Sequence, residues 1–226
     1  AVAGSGGGIR LQAYYGSLTV RDSTFAHNVT TNGSSQSGGA IYFDGGYYMV
    51  GGQLSAENSR FVGNIGRSNG QTVNASVGGG AIYRNSGPVT LRNCLLAGNK
   101  GYFGGAVFAM RFNGYEYRFE NCTLADNESN GSVIHFRDIG GTAGITFHVN
   151  NAIFHGGTTA LFTGTTGSGS PRAGSDLLID HCCLPVDYAG TTTAAGDLVA
   201  GTGNITQPPQ FLDQAGGDYR LAAGSP

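Results

Sequence analysis

Apolar residues recur along this chain in short runs that alternate with polar residues, and the runs themselves repeat. Each copy carries a glycine-rich signature related to Gly-Gly-Ala-Ile-Tyr, followed by a strand-like signature that first reads Leu18-Thr19-Val20-Arg21-Asp22. The glycine-rich signature occurs at residues 7–9, 38–42, 79–83 and 104–108, and more loosely at 133–135 and 160–162. No segment shows the sustained apolar spacing of an α-helix, so the pattern predicts an all-β repeat protein.

The copies follow one another at a nearly constant spacing. From Asp22, the equivalent positions Asn58, Asn93, Asn121, Asn151 and His181 follow after 36, 35, 28, 30 and 30 residues. About thirty residues with two short β-like runs and glycine-rich corners form one turn of a parallel β-helix. The sequence therefore predicts a parallel β-helix, a solenoid of six to seven coils, as one domain over residues 1–226. The alternative is that these residues are a segment of a longer solenoid.

Three columns of apolar residues are predicted to point into the solenoid when the copies are stacked. The first contains Ile9, Ile41, Ile82, Val107, Ile134 and Leu161; the second Val20, Ala56, Leu91, Phe119, Val149 and Ile179; the third Phe25, Phe61, Leu96, Leu124, Phe154 and Leu184. Single repeats of this size cannot bury an apolar face alone, so stacking would supply the core.

A column of amide side chains is predicted at the bend after each second-signature strand. Its members are Asp22, Asn58, Asn93, Asn121, Asn151 and His181. Asparagine tolerates a left-handed backbone, and its amide can donate to one neighbour and accept from the other. We interpret the column as a structural ladder rather than a metal or substrate site, and expect Asn93→Ala or Asn121→Ala to lower stability by leaving buried groups unpaired. Asn28, Asn64, Asn99 and Asn127 form a second such column.

An aromatic column follows the first apolar column by one residue. Its candidate members are Tyr42, Tyr83, Phe108, His135 and Phe162. Because alternate strand residues point to opposite faces, these side chains are predicted to point outward. They would then form an exposed stripe able to stack on sugar rings or pack against another protein. The alternative is a surface aromatic ladder that only supports strand pairing.

Two further columns contain charged residues and cysteines, respectively. Arg21, Glu57, Arg92, Glu120, Asn150 and Asp180 form an outward column in which opposite charges would pair between coils. Cys94, Cys122 and Cys182 share a column of small residues, with Cys183 beside it, and we expect all four thiols to be free.

Composition narrows the class of protein. Glycine accounts for 41 of 226 residues and charged residues for 12%, with a net charge of −2. No basic field for nucleic acid is present, and no apolar run is long enough to span a bilayer. No metal-binding or cofactor motif occurs, so neither a metal nor a cofactor is assigned. The best remaining acidic set is Asp176, Asp180 and Asp187, which could bind calcium but matches no known calcium loop.

The two signatures resemble the repeats of the polymorphic outer-membrane proteins of chlamydiae. That family is marked by a Gly-Gly-Ala-Ile-like tetrapeptide, here at residues 38–41, and by Phe-x-x-Asn, here at 25–28 and 61–64. The similarity covers residues 6–130 well and 131–185 loosely, and the tail from Pro209 resembles the terminal coil of secreted proteins of the pectate-lyase-like superfamily. The resemblance implies a right-handed β-helix, an extracellular or outer-surface location, and a display or adhesive role.

The function expected from these observations is non-enzymatic. The chain would be a structural or adhesive module that offers an extended face to a glycan or protein, with head-to-tail self-association as a further expectation. The alternative is a polysaccharide lyase or hydrolase, which would need a cluster of carboxylates on one face. The Glu57 and Glu120 pair is the best match to this requirement, but Arg92 lies between them, so no catalytic residues are assigned.

Overall fold

The computed structural model describes residues 6–13, 15–30, 37–45, 52–66, 78–111, 115–138, 146–157, 160–166, 176–185 and 197–226. Within these ranges every regular element is a β-strand, and there is no helix. The prediction of an all-β chain is therefore confirmed.

The strands are short and follow one another through tight corners. In chain order they are β1 (Ile9–Gln12), β2 (Leu18–Arg21), β3 (Thr24–Ala26), β4 (Val29–Thr30), β5 (Ile41–Asp44), β6 (Leu54–Glu57), β7 (Arg60–Val62), β8 (Ile65–Gly66), β9 (Ile82–Asn85), β10 (Val89–Arg92), β11 (Leu95–Ala97), β12 (Lys100–Gly101), β13 (Gly104–Arg111), β14 (Glu116–Glu120), β15 (Thr123–Ala125), β16 (Ser132–Asp138), β17 (Thr146–Asn150), β18 (Ile153–His155), β19 (Phe162–Thr166), β20 (Asp176–Asp180), β21 (Asp197–Ala200), β22 (Phe211–Asp213) and β23 (Asp218–Leu221).

Strands β1 to β21 lie in four parallel sheets, and each repeat contributes at most one strand to a sheet. The first sheet has the order β1-β5-β9-β13-β16-β19, the second β2-β6-β10-β14-β17-β20-β21, the third β3-β7-β11-β15-β18 and the fourth β4-β8-β12. The chain visits the sheets in the same sequence in each of the first three repeats. The second sheet gains a seventh strand from β21.

Strand register confirms most of the predicted apolar columns. In the first sheet Ile9, Ile41 and Ile82 lie in line, and Val107 and Ile134 continue the column. The second and third columns run in register as predicted, and most of their side chains are buried in one core between the sheets.

The last member of the first column is one residue from its predicted place. Ile134 pairs with Phe162, not with Leu161. Phe162 points into the core, where its ring lies 5.8 Å from that of Phe147 and 5.6 Å from that of Phe154. The repeats here have lost the Gly-Gly marker, and β13 pairs with β16 through a register shift between Gly104 and Val107. The alignment of the sixth repeat was therefore wrong by one residue.

The Gly-Gly pair of the first signature serves close backbone packing between repeats. A Cβ placed on Gly39 would overlap the carbonyl oxygen of Gly80, and one on Gly80 would overlap that of Gly105 and lie 2.7 Å from the Lys100 nitrogen. Side chains are therefore excluded at this corner, which explains why the marker recurs in each well-formed repeat.

The tail differs from the predicted terminal coil. Strands β22 and β23 pair antiparallel, with Phe211 opposite Leu221, and so form a hairpin outside the stacked sheets. A turn across Asp213 to Gly217 connects them, in which Gly216 donates to the Asp213 carboxylate at 2.9 Å.

Candidate functional site

The structure buries the residues that the sequence predicts as an exposed aromatic stripe. Tyr42, Tyr83, Phe108, His135 and Phe162 are each at most 5% exposed. The prediction of an exposed stripe is therefore wrong. Phe162 points into the core, and the other four lie on the outer side of the first sheet.

The outer four side chains form a continuous stack under a cover. Tyr42 stacks on Tyr83 at 5.1 Å between ring centroids, Tyr83 on Phe108 at 5.3 Å, and Phe108 on His135 at 5.3 Å. The ring of Phe103, from the loop before β13, lies 5.0 Å from His135. With Met110, these rings make a second apolar cluster outside the first sheet. The rings form the ladder of the alternative interpretation, but they are buried and do not lie on the surface.

Burial of His135 makes the stack sensitive to acid. Burial, with the positive charge of Arg137 nearby, lowers the pKa of His135 to about 4 from its ordinary 6.5. Between pH 6.5 and 4 the unfolded chain therefore binds more protons than the folded chain, so stability falls as pH falls through this window. The His135→Phe variant keeps an aromatic ring in the stack but cannot titrate. We expect its free energy of unfolding to fall by about 1–3 kcal/mol less than that of the wild type between pH 7 and pH 4.5. Urea unfolding at pH 7 and pH 4.5 measures it, and an equal loss in both proteins would contradict the assignment.

The amide column at the second corner is exposed and forms the predicted ladder. Asn58 donates from Nδ2 to Asp22 Oδ1 at 3.1 Å, and Asn93 donates to Asn58 at 3.1 Å. Asn151 donates to Asn121 at 2.7 Å. All members have left-handed φ values between 48° and 53°, as the sequence predicts. Their side chains are exposed to solvent, so the expectation that Asn93→Ala would unpair buried groups is wrong.

The second amide column is the buried one. Asn64 and Asn99 are each 0% exposed, and Asn127 is 1% exposed. Asn64 donates from Nδ2 to Asn99 Oδ1, and Asn99 to Asn127 Oδ1, both at 2.9 Å. Each Nδ2 also donates to a backbone carbonyl of the preceding repeat, as Asn99 does to Phe61 at 2.8 Å. The asparagine side chains whose loss would leave buried groups unpaired are therefore those of this second column.

The C-terminal hairpin folds back against the third sheet. Asp126, at the corner after β15, accepts hydrogen bonds from Gln214 Nε2 at 3.0 Å and from the Tyr219 hydroxyl at 2.9 Å. Burial and the hydrogen bond to Asp126 raise the pKa of Tyr219 to about 12. The Phe211 ring meets the edge of His155 at 5.6 Å. A single carboxylate thus anchors the hairpin across 88 to 93 residues of chain.

A groove follows the exposed amide ladder where the hairpin meets the third sheet. One cavity, of about 380 Å³, lies between the corner and β23, and its lining is Arg60, Asn93, Cys94, Leu95, Asn121, Thr123, Asp218, Tyr219 and Arg220. A second, also of about 380 Å³, continues past Asn121 to Asn151, His181 and Leu221. We call this pair of cavities the corner groove.

The outer face of the second sheet joins the corner groove at Asn121. A third cavity, of about 320 Å³, is lined there by Arg118, Glu120, His148, Asn150 and Asp180, among others. The predicted charge pairing is present: Arg21 lies 3.5 Å from Glu57, and Arg92 lies 2.7 Å from Glu120. Such exposed pairs contribute little stability, about 0.2–1 kcal/mol each.

All four cysteines are free thiols, as the sequence predicts. In the column of small residues each serine or cysteine side chain donates to the carbonyl two residues earlier, as Ser59 does to Glu57, Cys94 to Arg92 and Cys122 to Glu120. Serine and cysteine are therefore equivalent at this position. Burial raises the pKa of Cys182 to about 11.

A buried arginine is the feature that the sequence interpretation missed. Arg84 is 0% exposed, and its column neighbours are Phe43 and Ala109. Its guanidinium lies 3.9 Å from the Phe43 ring centroid and donates to the carbonyls of Phe43, Asn85 and Gly52. Burial lowers the pKa of Arg84 to about 10. Through these hydrogen bonds the buried guanidinium links β5, β9 and the backbone at Gly52.

Among the residues that the structure describes, no group of three or more histidine, cysteine, aspartate or glutamate side chains is placed to hold a metal ion. In the same ranges, no helix is both long and apolar enough to cross a membrane.

Comparisons with known proteins place this chain in no family. No family model matches it, and neither a curated protein nor a solved structure matches it.

Proposed function

We propose that the chain is a right-handed parallel β-helix domain that serves as a structural or adhesive module in the extracellular space or on a cell surface. The chain visits the first three parallel sheets in the same order in five successive repeats, from β1 to β18, which supports the solenoid. Connections between parallel strands of one sheet are right-handed in almost all proteins, which supports the handedness. The chlamydial-type repeat motifs support the location and role.

The contact surface in this proposal is the corner groove, in place of the buried aromatic stack. The observation that carries it is the exposed ladder of amides along one wall, with Arg60 and Arg220 close by and the Tyr219 ring opposite. Amide and guanidinium groups hydrogen-bond to hydroxyl and carboxylate oxygens, and an aromatic ring packs on the apolar face of a sugar.

A glycan fits this groove better than a protein surface does. Protein interfaces have an apolar core surrounded by a polar rim, whereas the large apolar side chains exposed in the described part of the chain are Tyr15, Leu212 and Leu221. Of these, only Leu221 lines the corner groove. The ladder repeats once per strand, about every 4.8 Å, so it offers similar contacts to successive units of a polymer.

Binding to an immobilised panel of neutral and acidic polysaccharides tests the proposal. Asn93→Gly with Asn121→Gly removes two amides without straining the backbone, because φ at both positions is left-handed. We expect this variant to bind at least about tenfold more weakly, or about 1.4 kcal/mol. The matched control is Lys100→Ala with Glu128→Ala, which removes an exposed ion pair of 2.7 Å whose members line neither cavity of the groove.

Two results would contradict the glycan proposal. One is equal binding by the wild type and the groove variant, and the other is no binding to any polysaccharide on the panel. Equal loss of binding in the control variant would show that a general loss of stability, and not loss of the groove amides, weakens binding.

A polysaccharide lyase or hydrolase is the second candidate, and the cavity on the second sheet is the observation that favours it. Glu120 and Asp180 lie there in one column, with Asn150 between them and His148 beside them. Glu120, however, is bonded to Arg92, and Asp180 accepts from the Thr202 nitrogen at 3.0 Å. Release of reducing ends from the same polysaccharides, lost in Asp180→Asn, would establish this candidate over the binding module.

A further inference from the structure

Two thiols of adjacent repeats lie directly above one another beside the corner groove. Cys94 follows Asn93, and Cys122 follows Asn121, while the next residues, Leu95 and Thr123, pair in register. Thr123 donates its N–H to the Cys94 carbonyl at 2.9 Å. Residues in register on neighbouring strands are about 4.8 Å apart, which lies within the Cα separation of about 4.4–6.8 Å that disulfides span.

The two thiols differ in their protonation. The nearby Cys122 side chain lowers the pKa of Cys94, whereas the nearby Cys94 side chain and burial raise the pKa of Cys122 well above its ordinary value. A thiolate is the nucleophile in thiol oxidation, and a neighbouring protonated thiol can resolve its product. The pair therefore has a distinct attacking member and a distinct resolving member.

The corner groove gives small molecules a route to this pair. Cys94 lines the cavity beside β23, together with Asn93 and Leu95, and Cys122 lines the cavity that continues past Asn121. Both side chains are nearly covered, at 3% and 1% exposed. The groove therefore suits a small oxidant such as hydrogen peroxide.

We propose that Cys94 and Cys122 form a redox-active dithiol site that closes to a disulfide between neighbouring repeats when peroxide reaches the groove. The Cys94 thiolate attacks one peroxide oxygen, the O–O bond breaks, and the leaving hydroxide takes up the proton lost by Cys94 to become water. The Cys122 sulfur then attacks the resulting sulfenic acid, the S–O bond breaks, and a second water leaves with the Cys122 proton. Two thiols are thereby oxidised by two electrons and one peroxide is reduced to two waters.

Cys182 is an internal control for this site. It occupies the same column, but its neighbour in the preceding repeat is Ala152, and the Ala152 N–H donates to the Cys182 sulfur at 3.4 Å. Cys183 follows it in sequence and its thiol donates to the Gln207 carbonyl at 3.2 Å. Neither thiol has the stacked partner that Cys94 has.

Peptide mapping after peroxide treatment of the folded, reduced chain tests the proposal. Free thiols are alkylated, and trypsin then separates Cys94 in residues 93–100 from Cys122 in residues 119–137, with Cys182 and Cys183 together in 173–220. We expect a linked 93–100/119–137 species to form at least about tenfold faster than any product of residues 173–220. Cys122→Ser should leave a Cys94 sulfenic acid that dimedone traps, and Cys94→Ser should abolish the fast reaction.

Three results would overturn the proposal. The first is full alkylation of Cys94 and Cys122 after treatment that oxidises Cys182. The second is oxidation of all four cysteines at one rate. The third is persistence of the fast reaction in Cys94→Ser. Serine is native to this column at Ser23 and Ser59, so these variants are expected to fold, and a urea unfolding curve for each verifies that they do. The inference does not depend on the proposed function, because it requires no glycan.

Discussion

Replacing Asn99 by aspartate is expected to lower the free energy of unfolding by about 3–5 kcal/mol. The Asn99 amide makes four hydrogen bonds: its Oδ1 accepts from the Asn64 backbone and side chain, and its Nδ2 donates to the Phe61 carbonyl and to Asn127 Oδ1. A carboxylate keeps the two acceptor contacts but places a charged oxygen against two other acceptors. Because the site is fully buried, water cannot relieve that conflict.

The exposed amide ladder provides the matched control for Asn99. Asn93→Asp makes the same chemical change in the same repeat, but the Asn93 side chain is exposed to solvent. We expect it to cost less than about 1 kcal/mol. Urea unfolding of both variants measures the difference, and equal losses would show that the buried column has no special role.

Replacing Gly80 by alanine is expected to cost about 3 kcal/mol or more, or to prevent folding. A methyl group there overlaps the Gly105 carbonyl oxygen and approaches the Lys100 nitrogen and carbonyl carbon at 2.7 and 2.9 Å. All of these are backbone atoms, from the end of the same repeat at Lys100 and from the start of the next at Gly105, so no side chain can move aside. Relief would require the two repeats to separate, with loss of the backbone hydrogen bonds between them.

Gly98 is a suitable control for Gly80 because its space is open. Its φ is +61°, and the only atom within 4 Å of an added Cβ is the Gly63 nitrogen, at 4.0 Å. The equivalent positions in other repeats carry His27 and Asp126, both also at positive φ. We expect Gly98→Asn to change stability by less than about 1 kcal/mol. A thermal melt that ranks Gly98→Asn as the more damaging change would contradict the account of the Gly-Gly marker.

The parts of the fold that repeat could be predicted from the sequence, because stacking turns each repeated position into a column. Val20, Ala56 and Leu91 show this: each is apolar, each falls at the same offset from its corner, and all three are in register and buried. The left-handed corners were predictable for the same reason, since asparagine recurs there. Where the repeat signature is poorly preserved, as at Leu161 and Phe162, the predicted strand register is wrong by one residue.

Features that occur once could not be predicted in the same way. The alternation of strand residues gave the direction of Tyr83 and Phe108 correctly, but their burial depends on a cover that includes Phe103, which lies outside the repeat pattern. The hairpin that makes one wall of the corner groove depends on Asp126, 88 residues before Gln214. Arg84 did carry a signal, since a charged residue two positions after the inward Ile82 must also point inward.

Distances between spin labels on the second sheet test the stacking of one strand per repeat most directly. The outward positions Arg21, Asn150 and Asp180 belong to one column, four and five strands apart. Labels are attached in a background with serine at the four native cysteines. The labelled backbone positions should be about 19 Å apart for residues 21 and 150 and about 24 Å apart for residues 21 and 180, before the length of the labels is added. Electron–electron double resonance should therefore show an increase of about 4.8 Å for the single added repeat. Equal distances for the two pairs, or a shorter distance for the second, would contradict the stacked arrangement.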